Sequence, residues 1–223
     1  MYILFGGGFT RALGPQMVLE EAGLPYELRV VDMDGQEHRG KDFLKLNPAG
    51  YVPALVTPEG EVLHEAAGIM LYLADRHGLD HLAPPATDPK RGIFLSKFWY
   101  FTNDIQPSLK RFYYAHRYAL RKDDIADVRD QSRQMASERW RILDDWLAAN
   151  GPFHLGERFT MADLHLAMWA AYGFDQPGDM ADIFPATGRI FDHVRQRPKS
   201  GPLLEGLLDV MTERRKNQRR GST

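Results

Sequence analysis

The 223-residue chain contains no cysteine. That excludes disulfides, thiolate metal sites and a cysteine nucleophile of the protein's own. Any thiol chemistry has to use a thiol brought from outside. Long apolar runs are also missing. Charge interrupts each apolar stretch well before the about 18 residues of a membrane-spanning helix, so no membrane is expected among the partners. The first residues, Met1-Tyr2-Ile3-Leu4-Phe5, carry no basic leader and no cleavage site, so a secretory signal is not expected and the cytoplasm is the expected location. No sign of charge dominates: 28 Lys and Arg stand against 30 Asp and Glu, a net −2. That argues against a generally basic nucleic-acid binder. The histidines show no metal-ligand spacing, and no metal is expected. What remains is a hydrophobic fraction of 43%, enough for a packed core, on a length that suits one large domain or two small ones.

The first third alternates short strands and helices. Tyr2 to Phe5 is a compact apolar run ended by Gly6-Gly7-Gly8, as a buried strand would be. Leu13 to Ala22 is helical in pattern and Gly23 stops it. Glu27 to Val31 reads as a second strand, completing a βαβ unit. A short helix over Lys41 to Leu46 ends at Asn47-Pro48. Tyr51 to Val56 is extended, with Pro53 near its start, where a missing N–H is tolerated. Pro58 to Glu61 turns the chain into Val62-Leu63-His64, and Ala66 to Arg76 is helical. Pro84, Pro85 and Pro89 then forbid regular helix, so residues 78–90 read as a linker between a first domain at 1–77 and an all-helical one at 91–213. Helices are expected over Arg91 to Tyr118, Ile125 to Ala149, from Thr160, and near Ile183 to Gln196 and Leu203 to Glu213. In the first of these, Phe94, Phe98, Phe101, Ile105 and Leu109 form the core stripe. In the second, Met135, Ile142, Leu143, Trp146 and Leu147 fall at helical spacings. Thr160 and Asp163 have the spacing of a capping box, with Phe159 and Leu164 at the staple positions. Residues 214–223 read as a basic, solvated and disordered tail, with contact to nucleic acid or anionic lipid as the alternative.

Four segments, in order, resemble the glutathione S-transferase family. They are Leu19 to Glu27, Asn47-Pro48-Ala49-Gly50-Tyr51-Val52-Pro53-Ala54-Leu55, Leu63 to Ile69, and Thr160 to Leu164. The resemblance covers nearly the whole chain. It implies an α/β thioredoxin-like N-terminal domain followed by an all-α C-terminal domain. It also implies glutathione as co-substrate and a homodimer. The activity expected is that of a transferase directing the glutathione thiolate at a small hydrophobic electrophile. A glutathione-dependent lyase or dehalogenase would use the same scaffold, and so would a non-catalytic glutathione-binding or protein-interaction member.

The resemblance also implies site residues. Pro53 would follow a cis bond, turning the N–H and C=O of Val52 toward the cysteinyl backbone of glutathione, as an added strand would pair. The N-terminal amides of the helix opening at Ala66 would hold the γ-glutamyl carboxylate, and Glu65 its ammonium. Many relatives have Ser at the position of Ala66, and the lost hydroxyl removes one hydrogen bond to a charged group, in general worth about 1.5–3 kcal/mol. The alternative for Glu65 is an acid that complements the helix dipole.

Thiol activation is less plainly marked. A thiol with pKa near 8.5 is only slightly ionised at pH 7, so a transferase needs a donor or a cation beside the sulfur. Relatives place Tyr, Ser or Cys after the first strand; here that stretch is Gly6-Gly7-Gly8-Phe9-Thr10-Arg11-Ala12. Thr10 can donate a hydroxyl and Arg11 can supply charge. Equally, Thr10 can be a helix cap and Arg11 a solvated surface residue. Tyr2 lies too early in the strand. For the electrophile, Phe9, Tyr113 and Tyr114 are candidate pocket walls with apolar rings.

Overall fold

Strand β1, Tyr2–Gly6, is the organising element of the first part of the fold. A computed structural model of the protein describes residues 1–220. Helix α1, Leu13–Ala22, returns the chain so that β2, Tyr26–Val30, pairs parallel to β1, with Leu4 opposite Leu28. After a 3₁₀ turn at Glu37–Arg39 comes helix α2, Lys41–Leu46. Strand β3, Ala54–Val56, then pairs antiparallel to β1, and β4, Val62–His64, antiparallel to β3. The sheet order is β2-β1-β3-β4. Helix α3, Ala66–Arg76, packs against α1. Both helices bury an apolar stripe, Met17, Val18 and Leu19 on one and Ile69, Met70 and Leu73 on the other, all fully inaccessible. Phe43 of α2 packs with Val31, Val52 and Ala54, and its ring meets that of Phe5 edge-on. Strand alternation does this sorting, because Leu4 and Phe5 point to opposite faces.

Beyond residue 87 all regular structure among the described residues is helical. The run expected as one helix from Arg91 to Tyr118 is divided. Helix α4 covers Arg91–Tyr100, a π-helical turn Phe101–Ile105, and α5 Gln106–Tyr113. Pro107 explains the wide turn: it has no N–H to give to the carbonyl four residues back, and its ring crowds that carbonyl. The phenylalanine stripe is nevertheless as expected, with Phe94, Phe98, Phe101 and Ile105 fully buried. Helix α6, Ile125–Asn150, buries Ala136, Trp140, Leu143 and Leu147, whereas Ile142 faces solvent. Helix α7, Met161–Tyr172, is buried along nearly its whole length. Its capping box is formed as the Thr160–Asp163 spacing predicts. Helices α8, Asp179–Ile183, α9, Pro185–Arg195, and α10, Gly201–Arg220, complete the chain.

Two packing units result, and their composition differs from the linear division expected at residues 77 and 91. One unit holds residues 1–87 together with the chain from residue 193 onward; the other holds Asp88–Asp192. The cause is a set of polar anchors near the start of α10. The Arg197 guanidinium forks onto the Glu21 carboxylate at 2.9 and 2.8 Å, Ser200 Oγ donates to Glu21 at 2.7 Å, and Lys199 donates to the Glu21 carbonyl. Helix α10 also runs to Arg220 instead of ending at Glu213, so residues 214–220 of the expected disordered tail are helical. Residues 221–223 of that tail lie outside the described residues.

Candidate functional site

Strand register places the candidate residues. Phe5, near the end of β1, sits opposite Ala54, the first residue of β3, and Ala54 sits opposite His64, the last of β4. The loop after β1, the segment before β3 and the start of α3 therefore emerge at one end of the sheet. Because β2 runs parallel to β1, with Gly6 opposite Val30, the loop that follows β2 emerges there too. One row of main-chain pairing thus gathers Phe9, Thr10 and Arg11, then Val52 and Pro53, then Glu65 and Ala66.

The Val52–Pro53 bond is cis. Strand pairing begins only at Ala54, so Val52 lies outside the ladder. The preceding loop is tied by one buried side chain that sequence reasoning passed over. Asn47 Nδ2 donates to the Tyr51 carbonyl at 2.7 Å, and its Oδ1 accepts the Ala49 N–H at 3.1 Å. His64 bonds the Leu46 carbonyl at 2.8 Å, joining the end of β4 to the end of α2.

Glu65 is exposed and adopts φ 65°, ψ 112°. Left-handed backbone is costly for a residue with a Cβ, and such strain concentrates where function demands a conformation. The first helical bond of α3 runs from Ile69 N–H to the Glu65 carbonyl. The amides of Ala66, Ala67 and Gly68 are thereby left as first-turn donors, the arrangement that binds carboxylates. Ala66 itself is buried and offers no hydroxyl.

In the loop after β1, Gly6 approaches Ala12 so closely that a Cβ would stand 2.2 Å from Ala12 Cβ. Thr10 is buried; its hydroxyl donates to the Gly7 carbonyl at 2.8 Å and accepts the Ala12 N–H at 3.4 Å. The hydroxyl hydrogen is therefore engaged within the loop. Arg11 is half-buried, and its guanidinium has no partner among the described residues. Phe9 carries a guanidinium on its face: Arg214 of α10 lies 3.8 Å from the ring centroid. Tyr2 is buried in the sheet and bonds His77 at 2.7 Å. Burial foremost, then Tyr72, pushes its phenol up to about 12, the wrong direction for ionisation.

The two tyrosine candidates belong to the helical unit. Tyr113 directs its hydroxyl to the carbonyls of Tyr172, at 2.8 Å, and Gly173. Its polar tip thus closes the end of α7. Tyr114 is exposed, with the Arg117 guanidinium 4.4 Å from its ring centroid. Among the described residues no group of three or more His, Asp or Glu could hold a metal ion, and no helix is long and apolar enough to cross a membrane.

The mixed sheet with its cis-proline loop and open helix N-terminus, followed by a helical domain, defines a glutathione transferase fold. Residues 11–76 match the model of the glutathione S-transferase N-terminal domain, and residues 100–198 that of the C-terminal domain. Glutathione S-transferase 3 of Zea mays is 33% identical over 167 residues, covering 72% of each chain. The disulfide-bond oxidoreductase YfcG of Escherichia coli (strain K12) is 28% identical over 195 residues, 84% of this chain and 87% of that one. A solved glutathione transferase homologue from Sulfitobacter, with bound glutathione, superposes with a TM-score of 0.80 at 25% identity, covering 92% of this chain and 97% of that one. The chain belongs to the glutathione S-transferase family.

Proposed function

We propose that the protein is a glutathione transferase that binds the tripeptide at the end of the first-domain sheet and directs its thiolate at a small hydrophobic electrophile. The observation that carries this reading is the row Phe5–Ala54–His64. It brings the backbone of Val52, the open amides of α3 and the loop bearing Thr10 and Arg11 to one place. Val52 would pair with the cysteinyl backbone, and Glu65 with the ammonium of the γ-glutamyl group. The amides at Ala66 would hold that group's carboxylate. Arg11, whose donors are unengaged among the described residues, would stabilise the thiolate by charge, with the Thr10 hydroxyl holding the loop or turning toward the sulfur. Phe9 is the proposed apolar contact for the electrophile in the first unit; Tyr113 and Tyr114, expected from the sequence as further pocket walls, belong to the helical unit. A homodimer in the cytoplasm completes the reading.

Two observations favour a second reading, a glutathione-binding member without catalysis. Ala66 supplies no hydroxyl to the carboxylate, and the Thr10 hydroxyl is already engaged with Gly7.

Titration of the ultraviolet thiolate absorbance of bound glutathione separates the two. The transferase reading expects a bound thiol pKa at least one unit below the free value, about a tenfold gain in thiolate where the free thiol is mostly protonated. It expects Arg11→Ala to return most of that shift, with Thr10→Ala doing so only if its hydroxyl turns. Binding without a lowered pKa would establish the non-catalytic reading. Turnover of a small disulfide, but of no halogenated aromatic, would assign disulfide reduction instead. With no cysteine in the chain, two glutathione thiolates would have to do this: the first displaces one thiolate of the small disulfide and forms a mixed disulfide, and the second displaces the other thiolate and leaves glutathione disulfide.

A further inference from the structure

Arg214 was expected in a solvated tail, yet it is among the most fully engaged cations of the first unit. Its Nη2 donates to Asp34 Oδ1 at 2.7 Å and its Nη1 to Oδ2. The pair draws the Asp34 carboxyl below the usual carboxylate range, the Arg214 hydrogen bond being the main cause. The face of the same guanidinium covers Phe9. Only arginine can fork onto a carboxylate with its edge while stacking on an aromatic ring with its face. The other end of α10 is tied to Glu21, as described above. The helix is therefore a strap fastened at both ends to the first unit.

Between the fastenings lies a crevice of about 200 Å³, with Leu203, Leu207 and Val210 on one side and Gly7 and Gly8 on the other. A Cβ on Gly8 would meet nothing within 4 Å, whereas one on Gly7 would stand 3.2 Å from Val30. The loop after β1 thus has an open space beneath its glycines, and Phe9 is its largest side chain. Asp34 follows β2 and emerges at the same end of the sheet as this loop.

We propose that Arg214 is a positioning residue: braced by Asp34, it holds Phe9 and so fixes the loop Gly7 to Arg11 in the place from which Arg11 meets the glutathione sulfur. The catalytic consequence rests on the transferase reading; the ordering of the loop does not. Lysine at 214 keeps the charge but loses the fork and the planar stack, so it is not expected to substitute.

Amide hydrogen exchange of the full-length, unliganded protein tests the loop directly. Losing an exposed pair and a cation–π contact of ordinary strength predicts about three- to tenfold faster exchange at residues 7–11. That effect is expected in both Arg214→Ala and Arg214→Lys, with the interior of α1 unchanged. Adding Asp34→Asn to Arg214→Ala is expected to do no more than Arg214→Ala alone. Unchanged exchange at 7–11, or an equal rise throughout the first unit, would overturn the proposal. Where wild type lowers the bound thiol pKa, both Arg214 variants are expected to raise it. Their glutathione affinity is expected to stay within about threefold, because Val52 and Glu65 are untouched. A thiol pKa identical to wild type in Arg214→Lys would remove the positioning role. If loop exchange rises as expected but wild type shows no lowered thiol pKa, the strap stands and the transferase reading falls.

Discussion

Asp163 shows how much one buried carboxylate can carry. It is fully inaccessible, and its two oxygens accept four hydrogen bonds. The N–H and Nδ1 of His154 approach one oxygen at 3.0 and 2.7 Å; the N–H and hydroxyl of Thr160 approach the other at 2.7 and 3.1 Å. Deleting the carboxylate strands several buried donors at once. Asp163→Ala is expected to cost about 3–5 kcal/mol in urea unfolding. Asp163→Asn should recover little, because its amide nitrogen would turn a donor toward donors on one side. Half of this arrangement is legible in the sequence. Thr160 and Asp163 are three residues apart, and local spacing dictates a capping box. The His154 contact is not, since the eight residues between His154 and Asp163 could place that ring anywhere. The same limit holds at the candidate site. The position of Thr10 after β1 is readable from the chain, but the engagement of its hydroxyl with Gly7 depends on a turn that three successive glycines leave unspecified.

Among the elements, helix ends decide more than helix middles. Helix α7 ends at Gly173, which has φ 61°. A Cβ there would stand 2.0 Å from the Gln176 carbonyl oxygen and 2.4 Å from Asp179 Oδ1. Asp179 cannot withdraw cheaply, because it accepts the N–H groups of Phe174, Asp175 and Gln176 at 2.8, 2.7 and 3.1 Å. Gly173→Ala is therefore expected to lower stability by about 3 kcal/mol or more, through strain and displacement of the turn together. Gly206→Ala is the contrasting case. Gly206 lies inside α10 with nothing within 4 Å of a new Cβ, so helix propensity alone predicts a gain of about 0.5–1 kcal/mol. Chemical denaturation of the two variants beside wild type checks both signs. Elements are the scale most legible in the sequence, because apolar periodicity is local. Both failures came from forces that periodicity does not record. Pro107 widened a turn within an unbroken apolar stripe. Arg214 was drawn from solvent by an acid 180 residues away.

At the scale of the whole molecule, the chain closes on itself: Glu21 and Arg197, 176 residues apart, form the fork that helps return α10 to the first unit. Their side chains are 7% and 27% exposed, so the pair lies between the surface case and the buried one. Burial alone would push the Glu21 carboxyl up. The hydrogen bonds of Arg197 and Ser200, with the charges of Arg197 and Lys199, outweigh that and hold it below the usual glutamate range. A carboxyl depressed by folding stabilises the fold at pH values above its unfolded pKa, and the contribution is lost as pH falls through the lower folded value. Glu21→Gln is expected to cost about 1–3 kcal/mol at pH 7, more than an exposed pair and less than a fully buried one. The difference from wild type should shrink as the pH falls below the unfolded glutamate pKa of about 4.3, because wild type then loses the same charge. Urea unfolding of both proteins between pH 7 and pH 3 measures it. A gap that stayed constant across that range would mean that Glu21 acts by packing and not by charge, and the return of α10 would then rest on its apolar face.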